Sequence, residues 1–212
     1  MEAKKCIEIF NRAIDDYHVS DHIDAKIINP FQQESFEAIL YQKCWIDTVQ
    51  WHMEDLIRSP NIDSDKGMSL KRRIDLSNQE RTDTVENLDD YFYNEFKDQG
   101  HENSSWNTES PGWVLDKLSI LCLKIFHMKE QTKRGNVTKE HIEICQHKLN
   151  VLLQQQKDLS ISYHELLEDY KIGKKVIKLY RQMKMYNDKN LNPELYKNLS
   201  LIHISEPTRL RS

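Results

Sequence analysis

From Ile142 to Tyr170 the chain repeats one spacing rule. Ile142, Cys145, Leu149, Leu152, Gln156, Leu159, Tyr163, Leu166 and Tyr170 follow one another at alternating steps of three and four residues. An α-helix turns once in 3.6 residues, so these positions form one stripe along a helix, whereas a strand would scatter them over both faces. No strand-like alternation occurs elsewhere in the chain to offer a sheet, so the stripe is expected to be buried against other helices. The segment therefore points the whole chain towards rods packed side by side.

The remaining segments read the same way. Residues 2–18 place Cys6, Ile9, Phe10, Ala13, Ile14 and Tyr17 on one face. A second helix is expected from Asn29-Pro30 to Arg58, carrying Phe36, Ile39, Ile46, Val49, Met53, Leu56 and Ile57. Asn29 would cap it, and proline suits the first turn. A third, capped by Asp63 or Ser64, runs to Gln99 before Gly100, with a seam of Ile74, Asn78, Arg81, Val85, Leu88 and Phe92. Ser110-Pro111 opens a fourth, striped by Val114, Leu118, Leu121, Ile125 and Met128. The fifth starts near Thr138. Ile177 and Tyr180 extend its pattern past Gly173, and an unbroken helix over 138–186 would be about 70 Å long. That overshoots its partners, so a bend or break is expected near Gly173. The 5 Gly and 5 Pro in 212 residues agree with helices rather than a turn-rich β fold. The expected fold is all-α, an antiparallel bundle of about five helices with helices two to five as its body.

Charge and composition exclude some roles. Net charge is −4 with both signs interspersed, so no basic field awaits a phosphate backbone and nucleic acid is not expected. No run approaches the roughly 18 apolar residues of a membrane span. The N-terminus "MEAKKCIEIFNRAIDDYH" lacks a signal-peptide core, and a cytoplasmic location is expected. Cys6, Cys44, Cys122 and Cys145 lie in helical patterns without metal-ligand spacing, and read as buried, reduced thiols.

Chemistry, if any, must come from polar residues at positions that packing would give to apolar ones. Asn78 and Arg81 occupy seam positions on helix three. A buried guanidinium needs acidic partners on neighbouring helices, or a ligand. In "WIDTVQWHMEDLIR", His52 shares a face with Trp45, Val49 and Leu56, and Asp55 follows within a turn. On helix four, "KIFHMKEQ" repeats the arrangement with His127 and Glu130. Helix three adds Asp83, Glu86, Asp89 and Asp90. Imidazoles and carboxylates converging from facing helices are how bundles hold metals. The candidate interior site is therefore His52, Asp55, Asn78, Arg81, Asp83, Glu86 and His127. Its metal-ligating candidates are His52, Asp55, Glu86 and His127, and a divalent metal is the one cofactor they suggest. The competing account is structural: ion pairs and a histidine satisfied within the core. "NTESPGW" gives an anion-binding candidate in Thr108, Ser110 and Lys117 at a helix start, against ordinary capping. Trp45 and Trp51 read as core and rim. "ENLD" resembles one half of the paired Glu-x-x-Asp of all-α nucleoside-triphosphate pyrophosphatases, but Glu54-Asp55 does not have the spacing of the other half. There is no glycine-rich phosphate loop and no G-x-S-x-G.

Taken in order, "NPF", "WIDTVQWHMEDLIR", "KRRIDLSNQERTDTVENLD", "NTESPGWVLDKLSILCLKIFHM", "KLNVLLQQQKDL" and "RQMKMYNDKNLNPELY" resemble a bacterial family, domain of unknown function 4254. The likeness runs from about Asn29 to Tyr196. It implies a helical, intracellular protein and transfers no catalytic residue. The tail is different in character. Leu199 to Arg209, "LSLIHISEPTR", matches the in-frame translation of a transposon-based sequencing adapter. Residues 199–212 are therefore expected to be adapter read-through outside a single helical domain of residues 1–198. Two functions remain open. One is a binding or interaction module that meets a partner protein or a second copy of itself. The other is a metal-dependent enzyme acting on a phosphorylated or nucleotide-like small molecule, with Arg81 as anion clamp.

Overall fold

A computed structural model describes residues 2–185 and 188–200, with side chains up to residue 197. The expected adapter-derived tail, residues 199–212, lies outside the residues whose side chains are described. The chain divides into two compact units, residues 1–179 and 180–212.

The first unit holds five helices: α1 (Ala3–Ser20), α2 (Phe36–Ile57), α3 (Ser64–Phe96), α4 (Pro111–Thr132) and α5 (Lys139–Lys171). No strand occurs among the described residues. The backbone of Ser105 pairs with the 174–176 segment as an isolated bridge. The second unit contains α6 (Pro193–Ser200), whose first turn is capped by Asn192 Oδ1 accepting from the Glu194 amide.

Capping side chains set most starts. Asp63, Ser110 and Thr138 each accept from free amides of the first turn, at α3, α4 and α5. The second helix begins later than Asn29-Pro30. Its cap is Ser35, which accepts from the Ala38 amide at 3.1 Å. Asn29 instead accepts from the Phe31 amide and donates to the Ala38 carbonyl, so its cap-like chemistry closes a loop.

The helix α5 stops at Lys171. Gly173 takes φ +72°, and a Cβ there would lie 2.5 Å from the Gln99 carbonyl oxygen. Only glycine fits that conformation at that approach. Beyond it the chain is extended, so the pattern through Ile177 and Tyr180 is not helical. Ile177 still joins the core.

Helices α2 to α5 alternate in direction. Phe36 meets Phe92 while Gln50 meets Ser77, Arg81 meets Asp116 while Asp89 meets Gly112, and Cys122 meets Gln156 while Ile125 clusters with Leu149, which aligns α2–α3, α3–α4 and α4–α5 antiparallel. α1 breaks the alternation. Lys5 pairs with Glu37, Cys44 with the Phe10 carbonyl, and His18 with His52. It therefore runs parallel to α2, and residues 21–35 carry the chain back. α2 and α4 are parallel too, so three helices finish at the same end of the unit. One main core joins α1–α5 through Phe10, Tyr17, Leu40, Phe92, Leu118 and Tyr163. All four cysteines are free and buried, and burial pushes the Cys6 and Cys122 thiols up to about 12.

The start of α4 is packed with little slack. Asp89 of α3 accepts from the Gly112 amide at 2.8 Å and from Ser110 Oγ at 2.6 Å. A Cβ on Gly112 would lie 2.4 Å from Asp89 Oδ1 and 2.8 Å from the Val85 carbonyl oxygen. Gly112→Ala should lower the unfolding free energy by about 1–3 kcal/mol, read from urea denaturation. An unchanged midpoint would mean that the α3–α4 contact yields freely.

Candidate functional site

Lys43 is the most deeply buried charge in the first unit, at 0% exposure. Its ammonium meets the Asp47 carboxylate one turn on and Asp116 Oδ1 of α4 at 2.8 Å, and donates to the Asp116 backbone carbonyl at 3.3 Å. Ser119 donates to Asp47 Oδ2 at 2.6 Å. Arg81 reaches in from α3 and binds Asp116 with both prongs, Nε to Oδ1 at 2.8 Å and Nη2 to Oδ2 at 2.6 Å, with Asp47 at 3.5 Å. Two cations thus face two carboxylates across three helices. Burial pushes the Asp116 carboxyl up, but Lys43 and Arg81 outweigh it and hold it below the usual range. Burial raises Asp47, the Asp116 charge adds to that, and Lys43 offsets only part. Arg81 thus has the acidic partners that a seam guanidinium requires. It also lines a cleft of about 320 Å³ with Gln50, Trp51, Asp55 and Arg58.

A second cluster lies at the end where α1, α2 and α4 finish together. His18, His52 and His127 each bring one ring nitrogen to a common point, all within 4.8 Å of one another. His18 Nε2 and His52 Nε2 are 3.3 Å apart. The other ring nitrogens fix the tautomers. His18 Nδ1 lies 2.7 Å from the Ile14 carbonyl and must carry its proton to bond there. His127 Nδ1 lies 2.9 Å from Glu130 Oε2 and does the same. The Nε2 atoms of both are therefore bare lone pairs when the rings are neutral. That of His127 is buried and has no hydrogen-bond partner. Trp51 stacks on His127 at 4.9 Å and 13°, and Tyr17 stacks on His52 at 5.1 Å, so neither ring swings freely. Burial, then the His18 charge, keep His52 below the ordinary histidine value, with Asp21 opposing. Asp21 Oδ1 lies 3.8 Å from His52 Nε2.

The sequence candidates separate accordingly. His52 and His127 come together, and Arg81 lies in the ion network. Asp55 is exposed and lines the cleft beside Trp51. Asn78 accepts from Gln50 at 2.9 Å, and Asp83 is exposed and accepts from Gln79 at 2.7 Å. Among the described residues, neither Asp55 nor Glu86 belongs to a set that could hold an ion. At the α4 start, Ser110 caps Trp113, Lys117 pairs with Glu109 at 2.6 Å, and Thr108 is exposed. The Asp89 carboxylate takes the position there that a bound anion would take.

The family model described as "Protein of unknown function (DUF4254)" matches residues 37–179. The chain belongs to the DUF4254 family. No curated protein and no solved structure matches it. His52, His127 and the whole Lys43 network fall inside the DUF4254 match, whereas His18 precedes it. No helix of the described residues is long and apolar enough to cross a membrane.

Sequence reasoning missed His18, Lys43, Asp47 and the role of Asp116. His18 stands four residues after the seam residue Ile14, a usable signal. Lys43 and Asp47 are spaced as an ordinary surface pair, and nothing local marks them as buried. Lys43→Met should cost about 3–5 kcal/mol because it strands carboxylates in the core. The double variant Lys43→Met/Asp47→Leu restores charge balance and should lose less than the single one. Guanidinium denaturation of both decides it, and equal losses would count against charge balance as the cause.

Proposed function

We propose that this protein is a metal-dependent enzyme or binding protein that holds a zinc-class divalent ion on His18, His52 and His127. One observation carries the reading: the His127 Nε2 lone pair is buried without a partner, and it faces two further imidazoles. A buried polar atom left bare is costly, and a cation would satisfy it.

The surroundings support a cation rather than a fourth hydrogen-bond donor. Metal-bound histidines usually donate their second nitrogen to a carboxylate or carbonyl, as His127 does to Glu130 and His18 to Ile14. Tetrahedral zinc at about 2.0–2.1 Å from nitrogen places ligand atoms about 3.4 Å apart. The His18–His52 edge already measures 3.3 Å. The loosest edge, at most 4.8 Å, exceeds that spacing by no more than about 1.4 Å. All three histidines lie in the last two turns of parallel helices. Their carbonyl ends direct partial negative charge at the same region.

Three nitrogen donors leave a coordination position for water or substrate, the arrangement of catalytic rather than structural zinc. An ion so held supplies Lewis acidity and a water that ionises near pH 7. The phosphorylated substrate inferred for the enzyme reading draws only on Arg81, whose guanidinium is bound to Asp116 but borders the neighbouring cleft. The interaction-module reading draws on exposed apolar residues of α5. Ile144 and Val151 share a face, while Leu153 and Ile161 point elsewhere, so they form no single stripe.

Protein stripped with chelator should bind one zinc or cobalt ion per chain in isothermal titration at neutral pH. Zinc at 100 times Kd should raise stability by about 2.7 kcal/mol. His18→Gln, His52→Gln and His127→Gln should each weaken binding by about 10-fold or more, and acidification should release the ion as the rings protonate. Absence of stoichiometric binding, or unchanged affinity in all three variants, would overturn the assignment.

A further inference from the structure

Trp51 and His127 also line a different cavity. It lies between α2, α4 and α5 and encloses about 550 Å³, within the usual range of about 300–1,000 Å³ for small-molecule sites. Trp51, Met128, Val151 and Leu152 form an apolar floor within a lining that also carries Gln131 and Gln155. Val151 remains 44% exposed there, a β-branched residue left uncovered on the cavity wall. Lys124 and Lys148 stand over these walls from α4 and α5, with His147 beside them.

Lysines of the first unit divide into paired and unpaired ones, and what distinguishes Lys124 and Lys148 among the unpaired is their place on the cavity lining. Lys5, Lys71, Lys117, Lys171, Lys174 and Lys175 each pair with a carboxylate. Lys124 and Lys148 have neither an ion pair nor a hydrogen bond among the described residues. Asp55 is the one carboxylate on the cavity lining and pairs with neither. Two uncompensated ammonium groups over an apolar floor attract a molecule with an apolar body and an anionic head.

We infer that this cavity binds a small aromatic or aliphatic organic anion, its body against Trp51, Met128, Val151 and Leu152 and its head between Lys124 and Lys148. The inference rests on the cavity and its charges and does not require the metal. Lys124 and Lys148 are exposed at helix surfaces, so replacing them should not disturb folding.

The probe is 8-anilinonaphthalene-1-sulfonate, with uncharged N-phenyl-1-naphthylamine as comparator, titrated into chelator-treated protein and followed by fluorescence. Saturable binding of one sulfonate per chain is expected, tighter than the uncharged analogue by about tenfold or more. Lys124→Glu/Lys148→Glu should abolish that preference while leaving the circular dichroism spectrum unchanged. Leu152→Trp, which fills the cavity, should weaken both probes. Equal binding of the two probes, or a double variant that binds the sulfonate as the parent does, would overturn the inference. So would the absence of sulfonate binding to the chelator-treated protein, because the cavity would then have no ligand of its own. Failure of zinc binding in the preceding experiment leaves this result intact, so the two readings fail separately.

Discussion

Burying the Lys43 ammonium between α2 and α4 sets the terms on which the other helices pack. An ion removed from water costs several kcal/mol, and only close counter-charges return it. Asp47 on the same helix supplies one and Asp116 on α4 supplies the other. Two carboxylates around one ammonium would leave excess negative charge in the core. Arg81 from α3 neutralises it through a two-pronged bond to Asp116. The network therefore needs three helices at one relative height. A slide of one turn along any of them would separate paired charges, a penalty that apolar packing alone would not impose. Its contribution is to register more than to net stability.

That register positions the histidines. With Lys43 held against Asp116 and Asp47 against Ser119, the parallel helices α2 and α4 are locked in step. His52 lies about two and a half turns beyond Lys43 and His127 about three beyond Asp116, so the two arrive at similar height. Helix α1 is aligned separately by Lys5 with Glu37, by the Cys44 thiol on the Phe10 carbonyl, and by Asp16 accepting from Tyr41. Those contacts bring His18 to the same level. The three-histidine cluster is thus a consequence of two independent alignments, one ionic and one mixed.

Element type was legible in the sequence because the three-four spacing is a property of single helices. Starts were legible where one residue alone could cap, as at Ser110-Pro111 and Thr138. Between Asn29 and Ser35 there were two cap-like residues, and local chemistry does not rank them. The break at Gly173 was legible from length. The candidate site was legible by halves. Periodicity reports that His52, His127 and Arg81 turn inward, but not which residue each one meets. Asp116 looked like a neighbour of Lys117, and Lys43-Asp47 like any surface pair. Their burial depends on the height at which α2 passes α4, which only the assembled bundle fixes. The direction of α1 is likewise a matter of how residues 21–35 return, and spacing rules carry no information about it.

Direction has an electrostatic consequence. Helices α3 and α5 begin at the histidine pole with their amide ends, but neither carries a histidine of the cluster. Here α1, α2 and α4 all present carbonyl ends at the pole where the histidines sit, and Glu130 and Asp21 add full negative charge nearby. Such a pole should favour protonated imidazoles, yet burial and mutual repulsion hold His52 below its ordinary value. The two tendencies conflict as long as the rings carry only protons, since three adjacent imidazolium ions repel one another. A single divalent ion, as proposed, would resolve the conflict, bringing positive charge to the carbonyl ends while each ring stays neutral and giving the buried His127 nitrogen a partner.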